Sequence, residues 1–332
     1  MGGRGGIVDG GDHQAPGRVI GGGGGARLDW VDVARGIGIL AVVSGHVWTR
    51  GPFRDAVYSF HMPLFFLLSG LLSRPHPPGA FAWRLLRGQM RPYLAFLALL
   101  VLIDQIVEPL QGRRPIFHDW PADLAVLAYG GSALRGPYTI FWFVPCLMAA
   151  RIVQNMVLAR WPDPLGWAQV MLAALALGLA YAVGHWTHVS PLGLVALPMA
   201  LFLLWVGAAW RATRWRMGMI APLALLSLAG LAGLVPTLNM KAASYGWPLV
   251  SIGSAIATSL LIFRLSGAIA QRASWLAALG RGSLVVMYLH VALIHYLSPW
   301  TSKPVLAALA LLGPFAVWRV IRIWKPAARI FL

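Results

Sequence analysis

The chain has 332 residues, of which 58% are hydrophobic and 11% charged, with a mean hydropathy of +0.70, a balance far more apolar than that of soluble domains. A net charge of +17 in a soluble chain would point to nucleic acid through counterion release. Here most Lys and Arg fall in short connections between apolar runs, where they orient spans in a bilayer, so membrane lipids are the expected surroundings and no nucleic-acid partner is expected. The single cysteine, Cys146, leaves no internal disulfide and no thiolate cluster for zinc, and reads as a small buried apolar residue.

Residues 1–26 are Gly-rich with scattered Arg4, Asp9, Asp12 and Arg18. They lack the apolar core of a signal peptide, and the MGGRGG opening lacks the Ser or Thr that a myristoylation motif has at position six. This stretch is expected to be a disordered cytoplasmic tail, with residues 27–332 forming one membrane domain. Apolar runs bounded by turn signals occupy 33–48, 57–72, 93–107, 138–158, 167–184, 192–210, 217–235, 248–266, 283–297 and 305–324. They predict an all-α, polytopic bundle of about ten transmembrane helices. The Pro-rich stretches SRPHPPGA at 73–80 and RWPDP at 160–164 are helix breaks, since proline lacks an N–H and fixes φ.

Ten spans put both termini and the even-numbered connections on one side. That side holds all Lys and Arg except Arg50, Arg54, Arg113, Arg114, Arg135, Lys241 and Lys303, and by the positive-inside rule it is cytoplasmic.

Ionisable residues within spans are costly and face the bundle interior or a cavity. In the first run, RLDWVDVARGIGILAVVSGH, Arg35 opens the helix and His46 follows eleven residues later, about 16 Å along the axis and near mid-bilayer. An imidazole there either accepts a proton from an alcohol, as general-base chemistry requires, or bonds a facing helix. Arg35 alone also fits an interfacial anchor. In FHMPLFFLLSG, at 60–70, Pro63 kinks or starts a helix and leaves polar room beside His61, which can pair with a substrate hydroxyl or with His46. Arg84, Arg87 and Arg91 precede Pro92 and Tyr93. Their three- and four-residue spacing forms one stripe of guanidinium forks, suited to the phosphates of coenzyme A and equally to lipid head groups. His290 and His295 are five apart and so not on one face, which argues against paired metal ligands. HExxH, Walker and GxSxG motifs are absent from the sequence, which removes support for zinc peptidase, nucleotide hydrolysis and a serine-hydrolase elbow.

Several blocks together resemble the membrane acyltransferase 3 family, and within it the fucose 4-O-acetylase type. These are Arg27-Leu28-Asp29-Trp30-Val31-Asp32 running into Arg35-Gly36 and His46, FHMPLFFLLSG, the arginines before Pro92-Tyr93, FWFVP at 141–145 and LGRGSLVVMYLH at 279–290. The resemblance implies transfer of an acyl group, commonly acetyl from acetyl-coenzyme A, to a sugar hydroxyl on a cell-surface glycan or its lipid-linked precursor. It implies acyl-coenzyme A as donor substrate with no tightly bound cofactor, a cell inner (plasma) membrane, and room for a homo-oligomer. The family's catalytic histidine maps to His46 and its basic partner to Arg35, with Asp32 at its acidic position. The donor-binding RxxR element maps to Arg84 and Arg87, with Arg91 beside the proline. His61 and Ser69 are candidates for binding the acceptor. The alternative class is a transporter or flippase of a glycan or lipid intermediate, since buried His and Arg also serve proton relays. Carriers, however, often repeat interrupted helices in two halves, and the FHMP block and arginine stripe have no counterpart later in the chain.

Overall fold

The structure is a computed structural model describing residues 29–187, 189–213 and 216–332; the tail expected at 1–26 lies outside the described residues, as does Arg214. Among the described residues the chain is helical, with one isolated β-bridge, Asn239 to Ser244. The N-terminal part contains α1 (Asp29–Val47), α2 (Pro52–Tyr58), α3 (His61–Leu71), α4 (Pro78–Leu110), α5 (Ala122–Tyr129) and α6 (Phe143–Arg160). The middle contains α7 (Trp167–Trp186), α8 (Leu197–Ala212), α9 (Ile220–Leu231) and α10 (Val250–Ile269). The C-terminal part contains α11 (Ser274–Arg281), α12 (Ser283–Leu297), α13 (Lys303–Ile323) and α14 (Lys325–Phe331). Short 3-10 turns lead into α6, α8 and α9.

All ten apolar runs are helical for most of their length, and the protein is a multi-pass membrane protein by helix composition. Seven helices, some counted with their leading 3-10 turn, are long and apolar enough to cross a bilayer, and α11 with α12, bent by 75°, makes an eighth. The remaining two of the expected ten are shorter than a bilayer crossing needs. The 57–72 run is broken at Ser59 and Phe60, leaving α3 with 11 residues, because Pro63 sits in the first turn of a new helix, where its missing N–H costs nothing. The 217–235 run forms only Met217–Leu231 as a short apolar helix. His61 and Ser69 on α3 line two different cavities, and α9 ends with Gly230 against Ser59.

Helix α1 is the hub, contacting α2, α3, α10, α11, α12 and α13. Where it meets α11 the backbones touch: a Cβ on Gly280 would lie 1.8 Å from the Asp32 carbonyl oxygen, and one on Gly36 would lie 2.3 Å from that of Leu276. Membrane helices gain little from hydrophobicity against lipid, so small residues that permit close packing drive such contacts. The α3–α8 contact repeats the device, with Gly70 against Leu204 and Gly207 against Leu67. Cys146 is fully buried in the core, as its reading as a small apolar residue predicts.

The long α4 has 33 residues, about 50 Å of helix against ~30 Å of hydrocarbon. Arg84, Arg87 and Arg91 lie in its N-terminal half. At its other end Glu108, buried in the bundle, accepts from His295 Nε2 and Arg113 Nε, both at 2.7 Å. Asp104, one turn earlier, accepts from the Ile116 amide at 2.8 Å and from the Tyr296 hydroxyl at 3.3 Å. These carboxyl groups tie α4 and the turn that follows it to α12, so two buried ionisable side chains serve to fasten the bundle.

Candidate active site

Two cavities lie back to back in the bundle and share Met62 and Ile140 as walls. The first, about 300 Å³, has apolar sides from α1, α3 and α6, with Arg35, Arg151 and Arg281 among its lining residues. The 75° bend between α11 and α12 brings both Arg281 and Ser283 to its wall. Asp32, only 3% exposed, lies 3.5 Å from the Arg35 guanidinium and 3.9 Å from that of Arg281. One carboxylate in the first turn of α1, where the helix dipole favours negative charge, thus holds two cations that would otherwise repel. Gln89 lines the same cavity, and its Oε1 is buried with no partner among the described residues.

The arginine stripe of α4 is only partly at this cavity. Arg84 and Arg151 each stand 5.8 Å from the centroid of the Phe81 ring, so Arg84 flanks Arg151 at the rim. Arg87 instead lies over Trp83 at 5.2 Å, and Arg91 is exposed. None of the three lines the cavity. Arg151, from α6, is the guanidinium beside Arg84 that does line it.

The second cavity, about 250 Å³, contains His46, His61, Tyr58, Thr139, Arg54 and Lys241 in its wall. His46 is bonded across the bundle: its Nδ1 lies 2.8 Å from Nε2 of His290 on α12, whose Nδ1 lies 2.8 Å from the Val286 carbonyl oxygen. A carbonyl can only accept, so His290 carries its proton on Nδ1 and presents a bare Nε2. In the neutral pair His46 must then donate from Nδ1, which leaves its Nε2 lone pair unprotonated. The relay Val286, His290, His46 fixes ring orientation and tautomer as an orienting partner does for a catalytic imidazole.

His61 does not pair with His46. Its Nδ1 donates to the Val57 carbonyl at 3.0 Å, across the break between α2 and α3, and its ring packs against Tyr58 at 4.6 Å, so its Nε2 is left as an acceptor. Ser69 is two turns further along α3 and lines the arginine cavity, apart from His61. The structure therefore gathers Asp32 and Arg35 at one cavity with Ser69, and His46 with His61 at the other.

Sequence reasoning missed His290, Arg151, Arg281 and Lys241 as site groups. Arg151 had a signal, since it is a charge inside the apolar run 138–158 and such charges face cavities. His290 and Arg281 stand within LGRGSLVVMYLH, but their partners are 244 and 249 residues away in the chain. Lys241 sits in a connection with no motif.

Comparisons with curated proteins and with solved structures give no match. The model of the acyltransferase 3 family, described as an acyltransferase domain, matches residues 28–321, a stretch that contains both cavities and every residue of the imidazole relay. The chain therefore belongs to the acyltransferase 3 family and is a membrane-bound acyltransferase.

Proposed function

We propose that the protein moves an acetyl group from acetyl-coenzyme A to a hydroxyl of a sugar on a cell-surface glycan or its lipid-linked precursor. The likeness of its sequence blocks to the fucose 4-O-acetylase type favours a sugar as acceptor. The observation that carries the reading is the relay through His290, which leaves His46 Nε2 as a proton acceptor at a pocket wall, next to a cavity lined by three guanidiniums.

The donor enters from the arginine end. Guanidinium forks suit phosphate oxygens, so Arg151 and Arg281 with Arg35, flanked by Arg84, hold the nucleotide's phosphates. A cavity of about 300 Å³ is at the small end of ligand sites and suits the slender thioester arm, with the nucleotide remaining at the rim. Gln89 Oε1 is an acceptor for an amide N–H of that arm. Asp32 acts through the arginines, fixing Arg35 and Arg281 in place.

The acceptor occupies the other pocket, with His61 Nε2 positioning a hydroxyl. His46 Nε2 takes the proton of the reacting hydroxyl as its oxygen attacks the thioester carbonyl carbon. The carbon–sulfur bond then breaks, and the thiolate leaves with the proton returned from His46 as free thiol. Bringing the thioester carbonyl and the acceptor hydroxyl together beside His46 supplies the proximity term, and the base supplies proton transfer. Both termini and the arginine cavity face the cytoplasm of a cell inner membrane in this reading. Its support is that every cation of the arginine cavity belongs to the basic-rich side of the sequence tally, and both cations of the acceptor pocket to the other.

The test is release of free coenzyme A from acetyl-coenzyme A by the purified full chain, with a crude mixture of surface glycans and lipid-linked sugars from the source cell. Thiol release that needs acceptor, and that His46→Ala loses while remaining folded, is the expected result. Equal behaviour of wild type and His46→Ala, with no donor binding by either, would overturn the reading in favour of transport, which vesicle uptake then measures.

A further inference from the structure

The pocket around His46 holds more positive charge than binding a neutral sugar needs. Arg54 and Lys241 both line it, and no carboxylate does. Arg54 pairs with its chain neighbour Asp55 at 2.8 Å and lies 3.9 Å over the Tyr58 ring. Asp55 is exposed, and such a solvated pair neutralises little in the pocket. Lys241 is half-buried, and its Nζ donates to the Leu134 carbonyl at 3.1 Å and to the Thr139 hydroxyl at 2.5 Å. Both partners are neutral, and an ammonium has three N–H groups, so one donor and the full charge remain. Burial pulls this ammonium below its ordinary value, as it does for a cation lacking a counter-ion. A charge held away from water is costly unless something neutralises it, and in the described structure nothing on Lys241 does.

We propose that the acceptor is an anionic sugar, whose hydroxyl meets His46 while a carboxylate or phosphate on the same unit or its neighbour meets Lys241 and Arg54. This rests on the acyltransferase reading above and narrows its acceptor. An anion there satisfies both cations on binding and also stabilises the imidazolium that forms when His46 takes its proton, which lowers the barrier as well as tightening binding.

The experiment separates the crude acceptor mixture by anion exchange and assays each fraction for acceptor-dependent thiol release by the full chain. Activity in the salt-eluted fraction is expected. Its loss after chemical reduction of carboxyl groups identifies a uronic acid, and its loss after phosphatase or mild acid identifies a phosphate. Activity confined to the unretained, neutral fraction overturns the proposal and leaves the acyltransferase reading standing, whereas activity in no fraction overturns both. With the active fraction, Lys241→Met is expected to raise the acceptor KM about tenfold to a hundredfold, the value of a charged hydrogen bond, with the donor KM unchanged. Lys241→Arg should restore most of the loss. Arg54→Gln reads the same charge independently should Lys241→Met fold poorly, and an unaltered acceptor KM in the folded variants sinks the idea.

Discussion

The cavity at the Arg35 end has smooth apolar walls with its charges gathered among a few arginines, whereas the pocket around His46 has imidazole, hydroxyl and ammonium groups spread through its wall. The first arrangement suits a long ligand gripped by its charged end, whose reacting end needs only to be threaded. The second suits a compact polar ligand that must be oriented atom by atom. The charges also differ in their partners. The arginines at Asp32 share a buried carboxylate that sets their geometry, while Lys241 rests on neutral oxygens and keeps its charge for whatever enters.

Substitutions should divide along the same line. The largest effect is expected in the pocket that holds the imidazole: His46→Ala should lower turnover by about 10²- to 10⁴-fold, the usual worth of a positioned general base, with the unfolding transition in detergent unchanged. His290→Phe keeps an aromatic ring but removes the acceptor that fixes the His46 tautomer. Its turnover should fall about 10- to 100-fold through misplacement of the base, with both KM values near wild type; a change in donor KM alone would place His290 with the arginines instead.

Next in size is Arg151→Gln, which should raise the donor KM about tenfold and leave the acceptor KM alone. Arg84→Gln, one position out at the Phe81 ring, should cost less, and exposed Arg91→Gln least of the three. The reverse order would return the donor's phosphates to the outer stripe of α4. Gly280→Ala should lower stability by about 1–3 kcal/mol, read as a drop in thermal midpoint, because a methyl 1.8 Å from the Asp32 carbonyl forces α1 and α11 apart. Its effect on the donor KM should exceed that on the acceptor KM, since Asp32 and Arg281 both lie at that contact.

Much of this architecture was legible without coordinates. Apolar run length and Pro-rich breaks located the seven helices of spanning length among the described residues, because a chain in hydrocarbon must close its backbone hydrogen bonds within each segment, but they counted ten spans where seven or eight are long enough. The runs at 57–72 and 217–235 fell short of spanning length for a local reason that run length does not carry: the backbone turns at Ser59 and at Ala232 while the side chains stay apolar. His46 stood out by its depth in an apolar helix. The arginines were harder. Arg84, Arg87 and Arg91 share a helix face by spacing, yet it is Gln89, between them on α4, that reaches the cavity, along with Arg151, alone in its run.

By itself the sequence determined the multi-pass helical class and an imidazole inside an apolar helix, since each depends on composition and periodicity along one segment. Only the tertiary structure decided what His46 bonds to, which arginines reach the cavity, and that Lys241 enters the other pocket. Those facts depend on helix crossings that bring together residues up to 249 positions apart, and crossings are set by close backbone contacts such as Gly36 with Gly280, whose partners no local pattern announces.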